Sequence, residues 1–94
     1  MTATPLERAV SLSQSMLETA ARADWDDFAQ LEQQREDLLA QAFQSGERDE
    51  ATLRTLIDCN RELCEEVARA RDKVALEWQQ AKGRSQAIAA YSHN

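Results

Sequence analysis

Two cysteines, one histidine and several paired acids are the residues in this 94-residue chain whose chemistry could build a catalyst or a metal site. Cys59 and Cys64 stand five positions apart. On one helix that turns them about 140° from each other, so they cannot bridge. They read as reduced thiols, the ordinary state in the cytosol. His93 is next to last, and with the two cysteines it matches no usual zinc spacing. Glu65-Glu66 and Asp26-Asp27 are adjacent positions, about 100° apart on a helix, and read as charges on solvated faces. The two glycines, Gly46 and Gly83, are isolated, so no glycine-rich phosphate loop exists. Nucleophile, base and metal ligands never converge in the pattern, and the expectation is a non-enzymatic protein with no cofactor and no metal.

What remains is a chain built to make helices. Ala, Glu, Leu, Lys and Arg supply half of it, the composition of long helices and coiled coils, while two glycines and one proline leave little turn chemistry for strands. Leu, Ile, Val and Phe number only 17, so one small core is all the chain can build, and a partner or self-association is expected to supplement it. The net charge of −6 disfavours binding to phosphate backbones, hence no nucleic acid. No apolar run approaches the roughly 20 residues that span a bilayer, and Met1-Thr2-Ala3-Thr4-Pro5 does not start a secretory signal. The expected location is the cytoplasm, without membrane insertion.

Periodicity places the elements. Thr4-Pro5-Leu6-Glu7 is a capping box with proline at the first helical position, opening a helix over about 4–21. Its apolar face carries Leu6, Ala9, Val10, Ser13, Met16, Leu17, Ala20 and Ala21. After the joint Arg22-Ala23, Asp24 caps a second helix over about 24–44, with Asp26 and Asp27 in its first turn where the helix dipole favours them. Trp25, Phe28, Leu31, Leu38, Leu39, Ala42 and Phe43 form its apolar face, and Glu32, Arg35 and Glu36 intrude on that sector. Ser45-Gly46 ends it. A third helix, about 49–82, repeats Leu53, Asn60, Val67, Val74 and Ala81 at sevens, a coiled-coil seam in which Asn60 could fix register and Cys64 pack as a small hydrophobe. Lys82-Gly83 reads as its stop, with 84–94 as a short tail carrying Ile88 and Tyr91.

These lengths predict an all-α fold. It is an antiparallel up-down-up bundle in a single domain, 1–94, with Trp25 and Phe28 in its core. At 1.5 Å per residue the third helix outruns its partners by roughly 15–20 Å. Val74, Trp78 and Ala81 then lack an intrachain helix to cover them, and an apolar stripe on a protruding helix requires something to bury it. The occupants open to it are a second copy in a homodimer, the chain's own tail, or a partner helix. Trp78 is the natural anchor, since tryptophan is enriched among residues that dominate binding energy. The cluster Arg69, Arg71, Lys73, Lys82 and Arg84 outweighs Asp72 and Glu77, giving this stretch a basic face.

The run Leu12-Ser13-Gln14-Ser15-Met16-Leu17-Glu18-Thr19-Ala20-Ala21, the joint, the acidic start Asp24-Trp25-Asp26-Asp27-Phe28 and Leu31-Glu32-Gln33-Gln34-Arg35 resemble the flagellar export chaperone family FliT. The long third helix and the segment Gly83-Arg84-Ser85-Gln86-Ala87-Ile88-Ala89-Ala90-Tyr91 continue the likeness. The resemblance implies a cytoplasmic, non-enzymatic chaperone of type III export that holds the filament-cap protein FliD and delivers it to the export apparatus. It also implies contacts with the export ATPase and export gate, and in some bacteria with the flagellar master transcription regulator. In larger members a fourth helix covers the partner surface as an internal inhibitor. Joined to the overhang, the resemblance nominates Val67, Arg71, Val74, Trp78, Ala81, Ile88 and Tyr91 as partner-binding residues, with the tail competing for the stripe or closing over it. The alternative is a structural or regulatory coiled-coil dimer without export cargo.

Overall fold

The computed structural model describes residues 2–92, so His93 lies outside the described residues. Three helices account for nearly all of them: α1 (Pro5–Ala21), α2 (Trp25–Ser45) and α3 (Glu50–Ser92). The starts are those the caps demand. Thr4 Oγ1 accepts from Glu7 N–H at 3.2 Å and Asp24 Oδ1 from Asp27 N–H at 3.3 Å. Asp49 Oδ1 accepts from Ala51 and Thr52 N–H at 3.1 and 3.4 Å, and Thr52 Oγ1 donates to Asp49 Oδ2 at 2.7 Å. These bonds satisfy donors that a helix start leaves free. The same bonds, led by the Thr52 hydroxyl, hold the Asp49 carboxyl below its usual pKa.

Both joints use one device. After α1, Ala23 takes φ 57°, its N–H reaching Ala20 O at 3.1 Å while Asp24 N–H reaches Thr19 O at 2.8 Å. After α2, Gly46 takes φ 75°, with Gly46 N–H on Phe43 O at 3.2 Å and Glu47 N–H on Ala42 O at 3.0 Å. These are Schellman caps, which require a left-handed residue. Glycine supplies it freely at the second joint; alanine adopts it under steric strain at the first.

The core is narrow and centred on α1. Leu6, Ala9, Ser13, Met16, Thr19 and Ala20 are buried along it, against Leu38 and Ala42 of α2 and Leu63 of α3. Two buried hydroxyls are satisfied locally: Ser13 Oγ donates to Ala9 O at 2.9 Å and Thr19 Oγ1 to Met16 O at 2.8 Å. Leu6 N–H donates to Glu47 Oε2 at 3.4 Å, which ties the start of α1 to the α2–α3 loop.

The helices pack unevenly: α1 lies along both α2 and α3, yet among the described residues no Cα of α2 comes within 8 Å of one in α3. Two expectations are corrected. Trp25 is 39% exposed and Phe28 only half-buried, the two rings meeting edge to face at 5.4 Å on the outer turn of α2, so neither belongs to the core. Finally, α3 does not stop at Gly83. Its 43 residues run unbroken to Ser92, about 64 Å of helix in a molecule 72 × 20 × 20 Å. Glycine ends a helix when it turns left-handed; Gly83 does not, and the residues after it are mostly good helix formers. Among the described residues there is accordingly no separate tail.

Candidate partner-binding surface

The α3 stripe divides sharply in its surroundings. Leu53, Leu56 and Val67 are half-buried and Leu63 is buried, each facing the packed part of the molecule; from Arg71 to Ser92 every residue is exposed. That protrusion covers 22 positions, about 33 Å, roughly double the expected overhang, because the helix continues through Gly83. At 100° per residue Val67, Val74, Trp78, Ala81 and Ile88 fall within a sector of about 80°, so the expected stripe is one continuous line. Arg71 flanks it. Trp78, 72% exposed, sits over an open concavity of about 530 Å³ bounded by Val74, Glu77, Ala81, Lys82, Ser85 and Gln86.

Tyr91 departs from this line. It is 86% exposed and stands about 100° from Val74, about 60° beyond Ile88 at the edge of the stripe. Ile88 and Tyr91 extend α3 instead of folding back, so in this structure they neither compete for the stripe nor close over it. Leu76, exposed on nearly the opposite face from Val74, is an apolar position that the seam pattern missed. Its neighbours at three- and four-residue spacing, Asp72, Lys73, Gln79 and Gln80, are all polar and gave no periodic signal to find it by.

The seam residues nearer the core also differ from expectation. Asn60 is exposed within the chain, and its Oδ1 accepts from Arg35 Nη1 at 3.4 Å, a side-chain bridge from α2 to α3. The cysteines exchange roles: Cys59 is half-buried and Cys64 exposed. Burial, then the nearby charges of Glu62 and Asp58, push the Cys59 thiol above its usual pKa, which suppresses the reactive thiolate. Of the basic cluster, Arg69 is paired within its own helix to Glu66, which raises its pKa; this is the only salt bridge among the described residues.

Sequence reasoning missed a second concave region, the space between α2 and α3. Arg35 divides it into one groove of about 300 Å³, reaching from Phe28 and Met16 to Val67 and Arg71, and another of about 270 Å³ beside Leu39, Leu56 and Ile57. Its signal was in the sequence as Arg35 within the apolar sector of α2, without anything to say that the helices would stand apart.

Among the described residues no group of His, Cys, Asp or Glu could hold a metal ion, and no helix is long and apolar enough to cross a membrane. The chemistry on offer is association: a bare apolar stripe, a tryptophan at its middle, and an open groove at its root. No curated protein and no solved structure matches the chain. The family model described as flagellar protein FliT matches residues 3–93, nearly the whole length. A thin core around α1, helices in the expected order and an α3 whose apolar stripe is left exposed thus accompany a family match over nearly the whole chain, and the chain belongs to the FliT family of flagellar export chaperones, whose partners are other flagellar proteins.

Proposed function

We propose that this chaperone binds the filament-cap protein FliD, prevents its premature assembly and delivers it to the export apparatus from the cytoplasm. The observation that carries this reading is the exposed stretch 71–92, in which Val74, Trp78 and Ile88 line one face of a helix with no intrachain cover. An amphipathic C-terminal segment of the cargo would lay its apolar side on that face, as helix-in-groove recognition does. In this reading Val67, Val74, Trp78, Ala81 and Ile88 make the apolar contact. Arg71 flanks it, and Tyr91 touches cargo that wraps round the helix end. Contacts with the export ATPase and the export gate would follow delivery.

The test is isothermal titration of the full chain with the C-terminal segment of the filament-cap protein from the same genome, with light scattering for stoichiometry. A saturable 1:1 complex, weakened at least about tenfold by Trp78→Ala, is expected, since a buried tryptophan at an interface commonly carries about 2 kcal/mol or more. Binding indifferent to Trp78→Ala would move the site away from the protrusion. No binding together with a stable homodimer would favour the cargo-free coiled-coil reading. Removal of residues 84–94 is expected to weaken binding through loss of Ile88; a gain in affinity would instead restore a competing role for that segment.

A further inference from the structure

Arg35 joins all three helices at one level. Rooted in α2, it donates from Nη1 to Ser13 Oγ of α1 at 3.2 Å and to Asn60 Oδ1 of α3 at 3.4 Å. Ser13 Oγ donates in turn to Ala9 O at 2.9 Å, so the polar layer runs from the backbone of α1 to the exposed side of α3. The guanidinium finds no carboxylate there. Among the described residues no acid lies within salt-bridge distance of it, and its Nε is buried without a hydrogen-bond partner. A charged group placed so recovers little of its desolvation, and apolar side chains of similar volume are often the more stable filling.

The gap that Arg35 spans has walls that favour its closing. Phe28 and Leu39 of α2 line it, as do Leu56, Ile57 and Val67 of α3, and apolar walls with water between them attract. Helices packed with axes about 8–10 Å apart bring facing Cα atoms to within about 6 Å. Here no Cα of α2 comes within 8 Å of one in α3 among the described residues. Space remains on both sides of Arg35, about 300 Å³ towards Phe28 and Val67 and about 270 Å³ towards Leu39 and Ile57. Loss of the guanidinium would strand no buried group, since Ser13 keeps its bond to Ala9 O and Asn60 is open to water.

We propose that Arg35 is a strut. The Ser13–Arg35–Asn60 layer holds α2 and α3 apart against the attraction of their walls, which lowers the stability of the free chain and keeps Phe28 and Val67, at the root of the exposed stripe, from covering each other. Arg35 is then a positioning residue for the partner surface, acting through the helix spacing without touching the partner. The consequence for binding rests on the reading that cargo lies along α3; the spacing itself does not.

The spacing is read in the full chain by double electron–electron resonance between spin labels on Glu36→Cys and Glu62→Cys, two exposed positions of α2 and α3, with Cys59 and Cys64 changed to Ser. Arg35→Met is expected to shorten that distance by about 2 Å or more. It is also expected to raise the melting temperature by about 5 °C, although it deletes two hydrogen bonds. Arg35→Lys, whose charge cannot enter a closed apolar seam, is expected to keep the wild-type distance. An unchanged distance in Arg35→Met, or a lower melting temperature, would overturn the strut. Should Arg35→Met fall short of wild-type helix content, Asn60→Leu removes the far footing of the layer and carries the same comparison.

Titration with the cargo segment used above reads the positioning role. A closed form favoured about tenfold weakens binding by the same factor, so Arg35→Met is expected to bind about tenfold less tightly while melting higher. A merely structural role would move affinity and stability in the same direction. Equal binding by wild type and Arg35→Met would overturn the positioning role and leave the cargo reading standing. If the distance and the melting temperature respond as expected while the segment fails to bind the wild-type chain, the cargo reading falls and the strut stands.

Discussion

The two ends of α3 carry the same apolar repeat and meet opposite fates. Before residue 71 the aliphatic positions of the stripe, Leu53, Leu56, Leu63 and Val67, are buried or half-buried; after it, every position faces water. Charge divides at the same place. Residues 71–92 hold four basic and two acidic side chains, whereas the first 70 hold seven basic and fifteen acidic. Periodicity therefore records what a helix can bury, and the length of the opposing helix decides what it does bury. Where the repeat outlasts α1 the stripe is left exposed, on a stretch with a net positive charge that the packed part lacks.

Truncation of side chains on either side of that boundary separates the two regimes most strongly. Met16→Ala removes a fully buried side chain from the core and is expected to cost about 2–5 kcal/mol, read from denaturant midpoints. Trp78→Ala, a larger truncation, is expected to change the same midpoint by less than about 0.5 kcal/mol, because the ring buries little in the free chain. A large shift for Trp78→Ala that grows with protein concentration would show the protrusion already covered by a second copy.

A smaller effect sharpens the comparison at the expected breakpoint. An added Cβ at Gly83 meets nothing within 4 Å. Gly83→Ala should raise helix content and slow amide exchange over 84–92, stabilising that stretch by about 0.5–1 kcal/mol, while the packed helices exchange unchanged. No change would mean that the helix ends near residue 82 in solution. The smallest effect concerns the two joints. Ala23→Gly relieves the left-handed strain after α1 but loosens the unfolded chain, and a net gain of about 0.5 kcal/mol is expected in thermal melts.

The helices themselves were legible residue by residue. Thr4-Pro5, Asp24 and Asp49 announce the starts, and Gly46 announces an end, because capping is local chemistry between neighbours in sequence. The stop expected at Gly83 was not realised, since a glycine terminates a helix only when the chain turns left-handed there. Trp25 and Phe28 looked like core because they are large and apolar. The core lay instead under small α1 residues, Ala9, Ser13 and Ala20, which allow close approach of neighbouring helices. The stripe at Val74, Trp78 and Ala81 could be read from spacing alone. The α2–α3 groove could not, because its existence depends on how far two helices stand apart, a distance that no pattern within either helix encodes.

The unbroken passage of α3 from packed to free has a kinetic meaning as well. An isolated 22-residue helix must first form an unfavourable nucleus, fixing several residues for a single hydrogen bond. Here the last packed turns, around Leu63 and Val67, already provide that nucleus, so the protruding segment grows by propagation alone and melts inward from its free end. Such a segment lengthens and shortens on the sub-microsecond scale of helix–coil relaxation. A ligand arriving on the stripe would therefore meet a template that is straightest at its root and loosest at Tyr91, and binding would zip from the anchored turns outward.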